Sequence, residues 1–187
     1  MLKEKDRQMT RESDASIKYC PQCGSQALTW PSPKHFTCAD CGFVLYLNIA
    51  AAVAVIIECQ GKILLGVRRY EPKKGMLDLP GGFVDPAETA EQAVCRELKE
   101  ELAIELYDEL RYLFSFPNKY RYRGIEYDTL DLIYLVRLNK FPQFTAGDDL
   151  AEALWVDRNA LDYQKIGFDS LRQALRRYLE VSPVPEK

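Results

Sequence analysis

Histidine is nearly absent from this chain: His35 is the only one among 187 residues. Acid–base chemistry must therefore rest on carboxylates, and His35 itself is expected to be incidental. No apolar stretch reaches the ~20 residues of a membrane span. A formal charge of −3 supplies none of the basic excess expected of a general nucleic-acid binder. The opening MLKEKDRQMTRESD has no apolar h-region, so secretion is not indicated and a cytoplasmic location is expected. No internal repeat appears beyond two short cysteine motifs. What remains is an acidic chain, 47% apolar, suited to one full domain plus a small module.

The most informative stretch is GFVDPAETAEQAVCRELKEELAI, Gly82 to Ile104. It reads as a glycine turn running into a helix. With Glu97 at the origin and ~100° per residue, Glu101 falls at about 40° and Glu100 at about −60°. Ala90, Ala93 and Val94 share that sector, whereas Gln92, Cys95 and Lys99 lie opposite. The acids thus sit with the residues that face the protein body. A solvated helix would put its glutamates on the other side, with lysines one turn away. Three carboxylates with only Arg96 beside them repel one another unless a cation neutralises them, and oxygen ligands suit Mg²⁺ or Mn²⁺.

The spacing Gly82, Glu88, then Arg96-Glu97-Leu98-Lys99-Glu100-Glu101 resembles the signature box of the Nudix hydrolases. The resemblance implies an α/β/α sandwich with a mixed sheet. It also implies Glu97 and Glu101 as main metal ligands, Glu100 as an accessory ligand, and Gly81 or Gly82 as the source of a loop oxygen. Arg96, off the metal face, is expected to pair with Glu88 and fix loop against helix. Glu88 could instead complete a capping box with Asp85. Thr89 with Gln92 forms a competing box, which is preferred and leaves Glu88 free to pair or to meet substrate. The family usually has glycine where this chain has Ala103, so a helical or extended backbone is expected there.

A second motif precedes the box: Cys20-Pro-Gln-Cys23-Gly24 and Cys38-Ala-Asp-Cys41-Gly42, with fourteen residues between the pairs. Four thiolates at this spacing can close a tetrahedron around a structural zinc, leaving no open position. Two disulfides are the alternative, but they need an oxidising compartment. A segment of about 28 residues cannot bury enough core alone, so the metal would supply folding energy. Cys59 and Cys95 read as ordinary thiols.

The expected organisation is a disordered tail at 1–17, a zinc ribbon at 18–46, a Nudix domain at 48–182 and a tail at 183–187. Strands are expected at Ala50–Glu58, Lys62–Arg69, Leu106–Phe116, Thr129–Leu138 and Leu154–Val156, with a loop at Pro72–Gly82. A final amphipathic helix is expected at Phe168–Leu179, with Pro183 beyond it.

The substrate class follows from the resemblance: a nucleoside diphosphate linked to another moiety, such as ADP-ribose or a nucleotide sugar. A zinc ribbon ahead of the box is also similar to the layout of NADH pyrophosphatases. Their downstream S-Q-P-W-P-F-P motif is matched only by Ser115 and Pro117, which weakens an NADH or NAD-cap reading. Arg68 or Arg69 could bind phosphate, although adjacent strand residues face opposite ways and only one can enter the site. Lys73 and Lys74 are further candidate cations. Tyr120 and Tyr122, with Tyr127 and the neighbouring Arg121 and Arg123, could stack a base or form the outer face of a hairpin. Among Asp148, Asp149 and Glu152, Glu152 is the expected general base, with Glu97 as the alternative. A non-catalytic nucleotide-sensing module is the competing class of function, but such modules usually lose box glutamates, and here all are present. Homodimerisation is common in the family.

Overall fold

The computed structural model describes residues 17–105 and 110–181. Residues 1–16 and 183–187 of the expected tails, Pro183 among them, residue 182 at the end of the expected Nudix domain and the first four residues of the strand expected at Leu106 lie outside the described residues. The chain divides into two compact units between Asn48 and Ile49.

The first unit is a three-stranded antiparallel sheet of β1 (Leu28–Ser32), β2 (His35–Cys38) and β3 (Val44–Tyr46). Gly24 and Gly42 both take φ of 73°, and their amides close onto the carbonyls of Cys20 and Cys38 at 2.8 and 2.9 Å. These left-handed turns, open to glycine at little steric cost, swing each cysteine pair inward. Phe36 is fully buried, with Trp30 and Phe43 against it, and is the main apolar anchor of the unit.

The second unit contains β4 (Ala50–Cys59), β5 (Lys62–Arg68), β6 (Leu77–Asp78), α1 (Ala90–Leu102), β7 (Arg111–Tyr122), β8 (Ile125–Leu138), β9 (Leu150–Asp157) and α2 (Asp169–Val181). The sheet order is β6-β5-β4-β8-β7, with β9 on β5. β4 runs parallel to β8 over its whole length, while the other pairs are antiparallel, so the sheet is mixed. Val53 to Cys59 are all buried; a central strand covered on both faces needs a continuous apolar run rather than alternation. Val53, Val55 and Ile57 pack on Ala93, Val94, Leu98 and Leu102 of α1. Ala54 and Ile56 pack with Leu171, Ala174, Leu175 and Tyr178 of α2 on the other face. This is the expected α/β/α sandwich.

Three local expectations change. The strand ending at Arg69 stops at Arg68, and Tyr120, Tyr122 and Tyr127 lie in a hairpin longer than the strands expected at Leu106–Phe116 and Thr129–Leu138. β7 and β8 form one long hairpin in which Tyr120 faces Tyr127, closed by Arg123 and Gly124 with φ of 47° and 85°. Only those two residues turn, the positive-φ pair that matches the twist of the strands. Ala103 is left-handed, at φ 55° and ψ 28°, and its amide and that of Ile104 bond the last helical carbonyls. Burying Ile104 in the α1-side core demands that reversal whatever residue stands at 103. The left-handed alanine costs roughly 1–2 kcal/mol, partly offset in a glycine variant by backbone entropy. Ala103→Gly is therefore expected to raise the unfolding free energy by about 0.5–1 kcal/mol, measured by urea titration.

One buried polar knot lies at the end of β4. Glu58, 8% exposed, accepts from Arg158 at 2.6 Å, from Arg137 at 3.3 Å and from the Tyr178 hydroxyl. It ties β4, β8, α2 and the turn after β9 together.

Candidate active site

The box helix begins at Thr89, whose side chain accepts from Gln92 N while Gln92 returns a bond to Thr89 N. Its apolar face packs on β4 and carries Glu97 and Glu101 inward, leaving them 8% and 3% exposed. The loop before the helix lies along β4: Val53 N donates to Gly82 O at 2.8 Å, Val55 N to Pro80 O at 2.9 Å and Val84 N to Ala51 O at 3.0 Å. Gly81 N donates to Glu101 Oε2 at 2.9 Å. A Cβ on Gly82 would overlap the Glu97 carboxylate, and one on Gly81 would overlap Val53 O. Both glycines are there because backbone and carboxylate approach too closely for a side chain.

Burial pushes the Glu101 carboxyl up to about 9, with Glu97 adding repulsion. Burial also raises Glu97, although Arg96 pulls it back. Two buried acids one helical turn apart, of which Arg96 bonds Glu97, could hold a cation. Arg96 is the hub of the loop. Its Nε and Nη2 grip both oxygens of Glu88 at 2.9 and 3.0 Å, Nη1 reaches Glu97 at 2.7 Å and Glu100 at 3.1 Å, and Nη2 reaches Phe83 O at 2.9 Å. Arg96 thus turns toward the carboxylates, where its position on the helix face suggested that it points away. Arg96 holds Glu88 below the usual carboxylate range. With both oxygens gripped by Arg96, Glu88 lies outside the cleft lining and ties the loop to the helix.

A cleft of about 280 Å³ opens beside these acids. Glu97, Glu100, Gly81, Gly82, Asp148 and Asp149 are among its lining. Of the two adjacent arginines, Arg68 enters the cleft. It is fixed by Asp78 at 2.6 Å and Pro72 O at 2.7 Å and lies 5.1 Å from the centre of the Phe168 ring. Arg69 turns away to bond Leu150 O at 2.7 Å, bracing the acidic loop. Tyr120 lines the cleft against Phe83 and Phe168, whereas Tyr122 stays exposed with Arg123 over its ring. Lys73 and Lys74 are not among the lining residues.

Glu152 is exposed on β9 opposite Val67, and it too is outside the lining. Of the three acids of that loop, Asp148 and Asp149 line the cleft. Gly147 N bonds Glu101 O at 2.8 Å, Thr145 N bonds Leu102 O at 3.0 Å and Arg69 N bonds Asp149 O at 2.8 Å, so the loop is stitched to α1 and β5. Asp148 itself takes φ of 46°. Gly82, expected to offer a metal its carbonyl, gives that oxygen to Val53 N.

The sequence reading missed Asp78, Asn118, Asp131 and Phe168, all of which line the cleft. Burial raises Asp78 to about 6, against the pull of Arg68. A signal for Asp131 existed: it shares strand parity with Ile133 and Leu135, and so had to face the core.

In the first unit the thiols Cys20 and Cys41, and Cys23 and Cys38, stand 3.7 Å apart, and all four sulfurs lie within 4.8 Å of one another. Thiolates about 2.3 Å from a tetrahedral zinc are separated by about 3.8 Å, whereas a disulfide requires about 2 Å. The cluster fits a zinc ribbon, not two disulfides.

Comparisons with known proteins agree with this geometry. A family model described as NUDIX domain matches residues 47–178. An ADP-ribose pyrophosphatase of Methanocaldococcus jannaschii is 39% identical over 134 residues, 68% of this chain and 76% of that protein. The NAD-capped RNA hydrolase NudC of Vibrio atlanticus is 35% identical over 102 residues, 54% of this chain but only 37% of NudC. A crystal structure of a NUDIX hydrolase from Nitrosomonas europaea superposes with a TM-score of 0.65 at 26% identity, covering 88% of this chain and 91% of that one. Fold, carboxylate cradle and sequence matches together place the chain in the Nudix hydrolase family.

Proposed function

We propose that the protein is a Mg²⁺- or Mn²⁺-dependent pyrophosphohydrolase acting on a nucleoside diphosphate linked to another moiety, with ADP-ribose as the favoured substrate. The observation that carries this reading is that Glu97, Glu100 and the Gly81 loop line one cleft together with Phe83, Tyr120 and Phe168, with the buried Glu101 bonded to Gly81 N just behind it. The named activity of the Methanocaldococcus relative supports the substrate. The incomplete S-Q-P-W-P-F-P motif, where only Ser115 and Pro117 match, argues against the NAD-cap chemistry named for NudC.

Glu97 and Glu101 would hold the cation, with Glu100 as accessory and the Gly81 carbonyl as the loop donor, since Gly82 O is engaged by Val53. A cation bound there would neutralise the diphosphate and lower the pKa of the attacking water. Arg68, held rigid by Asp78 and Phe168, presents its guanidinium to a substrate phosphate. Arg96 orients Glu97 and Glu100 and fixes the loop through Glu88. Asp148 takes the role of proton acceptor expected of Glu152, because it faces the cleft and acts electrostatically on Glu97. Residues 18–46 form a structural zinc ribbon and residues 48–182 the hydrolase domain. A cytoplasmic location is part of the same proposal; no helix among the described residues is long and apolar enough to cross a membrane.

The test is a screen with Mg²⁺, read by chromatography as formation of the nucleoside monophosphate, over ADP-ribose, NADH, NAD, nucleotide sugars and nucleoside triphosphates, with Glu101→Gln as the blank. Preference for ADP-ribose supports the reading. Silence on every compound, with metal shown to bind, would overturn it in favour of a nucleotide-sensing module. For the ribbon, elemental analysis is expected to find one zinc per chain, lost in Cys38→Ser; a zinc-free protein as purified would sink that assignment.

A further inference from the structure

The cleft beside Glu97 also carries a carboxylate that the proposed cation and diphosphate do not need. Asp131 is 7% exposed on β8 and lines the cleft beside Asn118, Tyr120 and Phe168. Among the described residues no lysine or arginine pairs with it; Ser170, Thr129 and Asn118 hydrogen-bond it, and the Asp78 carboxylate, itself held by Arg68, lies within electrostatic reach. Thr129 Oγ1 donates to Asp131 Oδ1 at 2.9 Å and Ser170 Oγ to Oδ2 at 2.6 Å. Both hydroxyls are buried, so the carboxylate is held in one orientation.

A carboxylate has about four acceptor directions. The two hydroxyls take two and the Asn118 amide is placed to take a third, leaving capacity toward the cleft. An acceptor-only group, desolvated and preset at the wall of an aromatic slot, discriminates strongly: a ligand without a matching donor leaves it unsatisfied. A phosphate is repelled there. A flat heteroaromatic ring with an N–H on its edge satisfies both the rings and the carboxylate.

Resting on the nucleotide reading above, we infer that Asp131 is the specificity-determining residue for the nucleobase, accepting a hydrogen bond from an amino group on its edge. The Thr129 and Ser170 hydroxyls position that acceptor. In an Asp131→Asn variant one of the two oxygens, each of which now accepts from a different hydroxyl, becomes an NH2 that only donates, so acceptor capacity toward the cleft is lost while the shape is kept.

The experiment is calorimetric titration, at pH 8 with Mg²⁺, of the full chain and of Asp131→Asn. The ligands are AMP, purine riboside 5′-monophosphate, which lacks only the 6-amino group, and 2′-deoxy-AMP. Asp131→Ala is run alongside, and circular dichroism confirms that each variant is folded. The expected result is that the full chain prefers AMP over the amino-less analogue at least tenfold. Both variants should bring that ratio to within about twofold by weakening AMP alone, in keeping with one lost hydrogen bond to a charged group. Equal affinities in the full chain, or an unchanged ratio in the variants, would overturn the inference. So would a variant effect confined to the AMP to deoxy-AMP ratio, which would give Asp131 to the ribose. Because the readout is binding, it separates two failures. Absent ADP-ribose turnover with a retained AMP preference defeats the proposed reaction and supports the base assignment, whereas turnover of ADP-ribose with no AMP preference defeats the base assignment alone.

Discussion

Glu101→Gln is expected to lower kcat at least ~10³-fold while leaving the thermal midpoint unchanged or higher. Glu101 is almost wholly buried, and burial holds its carboxyl at about 9. Near neutral pH, without a cation, the group is therefore the neutral acid, and glutamine replaces it with another neutral group. The amide oxygen can still accept from Gly81 N, which keeps the loop docked. What glutamine cannot do is become an anion when a cation arrives. Glu97→Gln should lose turnover similarly, but with some loop loosening because Arg96 loses one partner. Glu100→Gln should cost less, since Glu100 stands at the exposed rim. Steady-state kinetics with a matched melting curve decides the matter. A variant that keeps turnover would remove Glu101 from the cation site, and one that loses fold and activity together would make it structural.

The largest loss of stability is expected far from the cleft, at Glu58. Glu58→Ala leaves the guanidinium of Arg158, 5% exposed, without the carboxylate that now bonds it at 2.6 Å. Removing one member of a buried pair costs about 3–5 kcal/mol because the other charge stays desolvated. Against a typical total of about 5–15 kcal/mol, that is enough to bring the fold near its limit. Tyr178→Phe, which removes one hydroxyl from the same knot, should cost only about 1 kcal/mol. Urea titrations of the two variants give the comparison, with Glu58→Gln in reserve if the alanine variant does not fold. A loss below 1 kcal/mol for Glu58→Ala would show that water or Arg137 rearranges to solvate Arg158.

Much of the site was legible because it follows local rules. Glu97 and Glu101 declare themselves through helical angle alone, since 3.6-residue periodicity places them among buried residues whatever the partner. The Thr89–Gln92 capping box and the paired cysteines are equally local: spacing of a few residues decides which groups can meet. Ala103 went the other way. Its left-handed backbone is unfavourable for alanine taken alone, and the burial of Ile104 overrides that preference.

Sequence by itself therefore determined the family, the carboxylate helix and the cysteine tetrad, because each depends on residues a few positions apart. Tertiary structure decided which neighbours face the cleft. Arg68 and Arg69, or Asp148 and Glu152, are chemically interchangeable in a linear reading, and only the folded chain sorts them: Arg68 and Asp148 line the cleft, whereas Arg69 bonds Leu150 O and Glu152 stands opposite Val67. Asp131 and Ser170 are 39 positions apart, and their bond exists only because β8 and the start of α2 meet under the same cleft. The physical reason is that strand and helix periodicity tells which side a residue takes, whereas long-range packing alone tells what stands opposite.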